Sequence, residues 1–470
     1  MKPFMNKDFL LQNSIAIDLY DHIKNLPIID YHCHLDPAAI AENKRFRNIT
    51  ELWLGGDHYK WRLMRHNGVP ESHITGNAPD DEKFAAFCAT VERAIGNPVF
   101  HWAHMEMRTY FGYDASITAA RAGELFDICN RQIEQPDFDV HNLLKRSKVE
   151  WLATTDDLAD TLEHHKKIAA DNTLGVPKVY PALRPSYVLD IEKPAFAGYM
   201  KNLDITDWDS LQTAIAAKIE FFHQTGCRLS DHALDPPVFN MEPIAEAALK
   251  KALNNEVLSF NEIAAYKTKL MLFLGAEYAK RDWVMQLHMG AQRSNNTKML
   301  RELGPDTGYD SMSDAGFSGS LNSLLNALEE MGCLPRTILY ALNPTADDML
   351  ASTIGNFAGH GIKGRMQWGS AWWYNDTKPG MEKHMITLAS HGMVANFVGM
   401  LTDSRSFISY PRHDYFRRIL ANQLSKWAED GEFPHNMDLL CQIAADIAYY
   451  NVKNYISYAG RETFACAHCP

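Results

Sequence analysis

Eight short, β-prone runs separated by longer helical patterns constrain this chain more than any other feature. They are PIIDYHCHL (27–35), VEWLATTDD (149–157), PKVYPALRP (177–185), GCRLSDHAL (226–234), WVMQLHMGA (283–291), TILYALNP (337–344), GRMQWGSAWW (364–373) and ANFVGMLTDSR (395–405). Each is bounded by turn or charged residues, as buried strands are. Helical spacing of apolar residues marks 209–225, 261–281, 320–332 and 380–392 between the runs, and 413–432 after the last. Eightfold alternation of strand and helix predicts an α/β fold, a distorted (β/α)8 TIM-like barrel of parallel strands ringed by helices.

One connection departs from that rhythm. Residues 36–148 separate the first two runs and read mostly as helix, in ITELWLGGDHYKWRLMRHNGV, EKFAAFCATVERAIG and AGELFDICNRQIEQ. No linker-like composition marks the edges of this stretch, and the chain has no internal repeat. The expectation is therefore a single domain over 1–470, with 36–148 a helical insertion that contributes to the active site and with extra helices after the eighth run.

Charge and cysteine usage narrow the partners. The net charge of −12 argues against a nucleic-acid surface, since phosphate binding draws on Lys and Arg. No run approaches the roughly 18 apolar residues of a membrane span. The eight cysteines (33, 88, 129, 227, 333, 441, 466, 469) are scattered, which suits free thiols better than a disulfide framework. The N-terminal stretch carries charges through any apolar core, unlike a secretory signal, so the cytoplasm is the expected address. The C-terminal CAHCP has no second pair at finger-like spacing and is expected to be a plain tail. A barrel of this size is expected to form a homo-oligomer.

The run ends carry the chemistry. His32 and His34, Asp156 and Asp157, Arg184, Asp231 and His232, His288, Asn343, Trp372 and Trp373, Asp403 and Arg405 all fall there. In barrel enzymes those carboxyl ends converge on one pocket. His32 and His34 stand two residues apart, so strand alternation puts both on one face, with Asp30 below them. On that spacing alone, a pair of polar residues closing a strand is the favoured reading and a metal clamp the lesser one. His288 adds a third nitrogen and Asp403 a carboxylate, a donor set suited to zinc or a similar divalent ion with a position left open. Arg184, Arg293 and Arg405 lie at or just past run ends, and three arginines aimed at one pocket favour an anionic ligand. His58 and Tyr59, in GGDHYKW, read from spacing alone as part of a helix with core aromatics.

In combination and in order, DYHCHL (30–35), GGDHYKWRLMR (55–65), ALRPS (182–186), SDHAL (230–234), QLHMGAQRSNN (286–296), GSAWWYND (369–376) and LTDSRSF (401–407) resemble the uronate isomerases, a divergent branch of the amidohydrolase superfamily. The resemblance implies an aldose–ketose isomerase that interconverts D-glucuronate with D-fructuronate and D-galacturonate with D-tagaturonate. It implies one divalent ion, Zn2+ in first place, on His32, His34 and Asp403. Asp403, Tyr59, Arg405 and His58 would then be catalytic. Arg184, Asp231, Arg293, Trp372 and His288 would bind the hexuronate. Two other readings stand beside it. A mononuclear metal-dependent hydrolase is the commoner chemistry on that scaffold, and no Lys near GCRLSDHALD supports a binuclear one. A silent sugar-acid binding protein would keep the arginines but would not need the histidines, Asp403 and Tyr59 together.

Overall fold

The computed structural model describes residues 3–171 and 175–456. The tail motif CAHCP lies outside the described residues. Strands are β1 (Ile28–Asp30), β2 (Val149–Ala153), β3 (Asp156–Asp157), β4 (Lys178–Tyr180), β5 (Leu183–Arg184), β6 (Leu229–Leu234), β7 (Val284–Met289), β8 (Ala291–Gln292), β9 (Ser311–Met312), β10 (Arg336–Ala341) and β11 (Met366–Trp368). One parallel sheet has the order β1-β2-β4 and a second the order β11-β10-β7-β6-β5-β3, while β8 and β9 form a small antiparallel pair. The architecture is α/β with parallel sheets.

The middle of the large sheet is buried on both faces. Every residue of β7 and of β10 is buried, and all but one of β6. This explains why β7 and β10 read as mostly apolar stretches and not as strict alternation, while β6 carries the polar Ser230, Asp231 and His232 inside it. Some of the polar atoms inside these strands pair with one another, while Ser230 Oγ, both His232 ring nitrogens and Gln286 Nε2 have no hydrogen-bond partner. Among those that pair, the Tyr340 hydroxyl donates to Gln286 Oε1 at 2.9 Å.

The second and third runs each break in two, so that their halves belong to different sheets. Pro181 interrupts the third run because it has no N–H to give to a ladder. The runs stay joined across the break through Thr154 N–H to Tyr180 O at 3.0 Å and Asp156 N–H to Ala182 O at 2.9 Å.

The eighth run departs from expectation. Apart from a short helical turn at Val394–Asn396, it is irregular and joins no ladder. The cause is local backbone geometry. Gly399 has φ 78° and Asp403 φ 46°, both in the left-handed region that a pleated strand does not use. A Cβ on Gly399 would also stand 2.2 Å from Ile447 O. The segment still lies against the first run, with Asp403 N–H donating to His32 O at 3.1 Å and His34 N–H to Ser404 O at 2.9 Å. Side chains complete its pairing. Thr402 N–H donates to Asp30 Oδ1 at 2.8 Å, and Val398 N–H to Gln367 Oε1 at 3.3 Å.

The five helical patterns appear as Trp208–Gln224, Phe260–Lys280, Ser318–Glu330, Lys378–His391 and Pro411–Glu429. The first two open with full capping boxes built on Asp207 and Ser259. Seven α-helices lie between β1 and β2, among them His58–His66, Asp80–Arg93 and Pro98–Phe111. Among the described residues, no helix is long and apolar enough to cross a membrane.

Candidate active site

The run ends surround a cavity of about 460 Å³. His32, His34, Arg184, His288, Arg293, Trp372, Asp403 and Arg405 all line it, and His58 joins them from the helical stretch between β1 and β2. Asp231 and Tyr59 stand behind this wall. Asp231 touches Arg184 and His288, both of which line it. Tyr59 stacks beneath His58 with ring centroids 4.9 Å apart and shares a small adjoining recess with Asp403 and Arg412.

Asp403 is the centre of the first cluster. Its Oδ1 lies 3.3 Å from His32 Nε2 and 3.0 Å from His34 Nε2, and its Oδ2 accepts the Trp372 indole N–H at 3.0 Å. The left-handed turn at Asp403, tolerated by an aspartate better than by most side chains, presents the carboxylate to both rings. Asp30 does not reach into this group. Its two oxygens accept the backbone N–H and the hydroxyl of Thr402 and so anchor the eighth run beside the first. Burial pushes Asp30 up to about 7.

The second cluster is built on Asp231. His288 Nδ1 lies 2.7 Å from Asp231 Oδ1, and the Arg184 guanidinium lies 3.2 Å from Oδ2. The His288 ring stacks on Tyr340 at 4.3 Å, meets Trp372 edge-on at 4.7 Å and lies 4.8 Å from His32. The two clusters therefore abut.

Electrostatics separate the groups. Burial would raise Asp403, but its contacts with His32 and His34 hold it well below the usual carboxylate range. Burial would likewise raise Asp231, but Arg184 and His288 hold it well below that range. Burial lowers His34 to about 4 and lowers His288 and His58, with Arg405 adding to the effect on His58. Those three imidazoles are neutral near pH 7. The Tyr59 phenol is pushed well above its ordinary value by burial and by Asp403 and Asp376.

Two further features of the wall have no role assigned from the sequence, although one of them stands among the run ends that carry chemistry. Asp156 and Asp157, an acidic doublet at a run end, line the cavity. Asp156 Oδ2 accepts the Thr154 hydroxyl at 2.7 Å, with His165 Nε2 2.7 Å from the same oxygen of Thr154. The doublet was a usable signal. Asp306 also lines the cavity, 3.4 Å from Arg405, and arrives from a loop with no periodic pattern. Arg293, for its part, lies 3.3 Å from Asp235 and over the Trp373 ring.

One donor atom from each of His32, His34 and Asp403 lies within 4.8 Å of the others, and the same holds for His32, Asp231 and His288. Two imidazole nitrogens and a carboxylate oxygen are a donor set for a divalent ion. The buried His32 Nδ1 and His288 Nε2 have no hydrogen-bond partner, so the chemistry at this end of the cavity is not completed by protein groups.

Comparison with known proteins agrees with this geometry. The chain matches the glucuronate isomerase family over residues 1–456. It is 49% identical over 465 residues to the uronate isomerase of Caldanaerobacter subterraneus subsp. tengcongensis, covering 97% of this chain and all of that one. The crystal structure of uronate isomerase from Thermotoga maritima superposes with TM-score 0.91 at 33% identity, covering 97% of this chain and all of that one. That of glucuronate isomerase from Caulobacter crescentus shares the fold, with TM-score 0.89 at 24% identity over 97% of this chain and 98% of that one. A cavity that pairs a His-His-Asp cluster with arginines, on a chain alike to these proteins over nearly its whole length, places the chain in the uronate (glucuronate) isomerase family.

Proposed function

We propose that the chain interconverts aldo- and keto-hexuronates, D-glucuronate with D-fructuronate and D-galacturonate with D-tagaturonate. Beyond membership of the family, one observation carries this reading: the His32–His34–Asp403 cluster and three arginines share a single cavity of about 460 Å³. That space admits an open-chain six-carbon acid and has a cationic partner for its carboxylate. The family assignment sets the hydrolase alternative aside.

In the forward direction the C2–H bond breaks, its electron pair forms the C1–C2 double bond of an enediolate, and C1 takes up a proton. O2 loses its proton to become the ketone oxygen, and O1 gains one. Asp403, held ionised, takes the proton from C2 and returns it to C1. Trp372 fixes the plane of that carboxylate through its bond to Oδ2. His58, neutral in its buried setting, moves the proton between the oxygens. The Tyr59 phenol, which stays protonated, and the Arg405 guanidinium answer negative charge on the enediolate. Arg184 and Arg293 bind the substrate carboxylate as guanidiniums do, and Asp231 orients both Arg184 and His288. His32, His34 and Asp403 would hold a divalent ion, zinc in this proposal, which would supply a fixed positive charge to answer negative charge on substrate oxygens.

The same proposal includes the finer architecture. The eighth run closes a distorted (β/α)8 barrel between the first and seventh runs, a reading supported by its bonds to His32, His34 and Gln367. Residues 36–148 are an insertion within one domain over 1–470, a reading supported by the place of His58 in the cavity wall. Residence in the cytoplasm is supported by the six free cysteines among the described residues.

The deciding experiment incubates the purified, zinc-supplied protein with D-glucuronate and with D-galacturonate and follows the ketouronates by NMR. Conversion by the wild type and none by Asp403→Asn is the expected result. No conversion of either acid by folded, metal-loaded wild type overturns the proposal.

A further inference from the structure

We propose that Arg412 is a positioning residue for this reaction, docking the turn that carries His58 and Tyr59 onto the segment that carries Asp403 and Arg405. Arg412 sits in the helix Pro411–Glu429, is 2% exposed and does not line the 460 Å³ cavity. A buried guanidinium is costly unless carboxylates, hydrogen bonds and aromatic faces answer it. Asp376, past the seventh run, adds a favourable charge interaction, and the direct contacts come from two distant parts of the chain.

From one side comes the helical stretch between β1 and β2. The guanidinium lies over the Trp102 ring at 4.1 Å and the Tyr59 ring at 5.6 Å. Its Nη2 is 3.8 Å from Asp57 Oδ2. Asp57 is the residue that starts the helix His58–His66, its Oδ1 accepting the backbone N–H of Tyr59 at 3.0 Å and of Lys60 at 3.2 Å. Lys60, also buried, lies 3.4 Å from Asp57 Oδ2 and 3.5 Å from Glu106, and donates to Trp53 O at 3.0 Å. The carboxylate that caps the helix is thus held between two buried cations, of which Arg412 is the one from the opposite side.

From that opposite side comes the eighth run. Arg412 Nη1 donates to Thr402 O at 3.2 Å. Thr402 directly precedes Asp403, and Asp30 already holds its N–H and hydroxyl. Asp30 and Arg412 therefore grip the same residue from its two ends. A small recess between the two parts is lined by Gly56, Asp57, His58, Tyr59, Asp403 and Arg412 among others, so the two proton-handling groups meet where Arg412 joins them.

Buried ion clusters add little net stability compared with apolar packing, and their better-supported use is to fix one arrangement over others. Here the arrangement fixed is the placement of Tyr59 relative to Asp403. A misplacement of about 1 Å in such a pair costs on the order of 100-fold in rate. The activity readouts of this proposal rest on the isomerase reading.

The test compares wild type, Arg412→Lys and Arg412→Gln, each also in a Tyr59→Phe background. It measures bound metal, KM, kcat and amide hydrogen exchange. The expected result is unchanged metal content, KM within about threefold and kcat lowered about 30-fold by Arg412→Lys. In the Tyr59→Phe background the further loss should fall below about threefold, because the hydroxyl that Arg412 places is gone. Exchange at the Tyr59 and Lys60 amides should quicken in Arg412→Lys. Equal kcat loss in both backgrounds, or lowered thermal stability with kcat intact, overturns the proposal and leaves Arg412 a structural ion. Should the wild type convert no hexuronate, the isomerase reading fails by itself. The exchange data then decide the docking alone, and unchanged protection at Tyr59 and Lys60 overturns it.

Discussion

Trp372 donates its indole N–H to Asp403 Oδ2 at 3.0 Å while Asp403 Oδ1 faces His32 and His34, so one carboxylate is divided between a neutral donor and two imidazoles. Removing the donor alone should separate orientation from charge. Trp372→Phe keeps an aromatic face beside His288 but loses the bond, and a hydrogen bond to a charged group is worth about 1.5–3 kcal/mol. The expected outcome is kcat reduced by about 10- to 100-fold with metal content unchanged. Steady-state kinetics together with metal analysis on the same preparation decide it. An unchanged kcat would show that Asp403 is held without Trp372.

Removal of the metal tests the first cluster. Dialysis against a chelator should abolish hexuronate isomerisation, and added zinc should restore it. His34→Ala removes one of three donors and should weaken metal affinity by at least about 100-fold, as measured by competition with a chromophoric chelator. A His34→Ala protein that binds metal like the wild type would move the site to His32, Asp231 and His288, the other donor group present.

Asp231→Asn should act on substrate binding. Asp231 is 1% exposed, and its carboxylate faces His288 at 2.7 Å and Arg184 at 3.2 Å. Without the charge, Arg184 loses its ion-pair anchor, and the His288 Nδ1–H keeps only a neutral amide oxygen as acceptor. The expected effect is a rise in KM of at least about tenfold, with a stability loss of about 3 kcal/mol, the usual cost of breaking a buried pair. Denaturant unfolding and steady-state kinetics measure the two parts. A loss of stability with KM unchanged would remove Arg184 from carboxylate binding.

How far the pattern of residues foretold these relationships depends on the range of the interaction. His32 and His34 converge because a two-residue spacing is a local property of extended chain, and this survives although both lie just beyond β1. The buried strands β7 and β10 are visible as mostly apolar runs because burial on both faces is likewise written in the local residue types. The eighth run was misread as a strand because nothing local shows that Gly399 must take a left-handed turn beside Ile447. Asp306 against Arg405, and Asp57 against Arg412, are pairs made by the packing of distant segments, and residue type carries no register for them. Tyr59 reads from spacing as a helix aromatic, and it does pack under His58. What spacing could not show is that this helix abuts Asp403.

A last prediction concerns acid stability and comes from a group outside the active-site cavity. His384 is 3% exposed, its ring 4.0 Å from Trp368 and 5.0 Å from Phe397, and its Nε2 has no hydrogen-bond partner. Burial lowers it from 6.5 to about 4, against some opposition from the backbone of Gly369 and Trp368. Between those two values the unfolded chain binds a proton that the folded chain refuses. Stability therefore falls as the pH drops from about 6.5 toward 4, and below 4 this contribution changes no further. At pH 4.5 the loss relative to pH 7 should be about 2.5 kcal/mol from this residue, at 1.36 kcal/mol per pH unit. The buried His165 and His413 are lowered by burial too and add to the wild-type slope, so the slope of one protein cannot isolate His384. The comparison that does so is urea unfolding of wild type and His384→Phe at pH 7 and pH 4.5. The variant can be less stable at both pH values because its ring loses the polar backbone contacts, but its drop between them should be smaller than the wild-type drop by about 2.5 kcal/mol. Equal drops would mean that His384 takes up its proton in the folded state, through an opening of the Trp368–Phe397 packing that admits water.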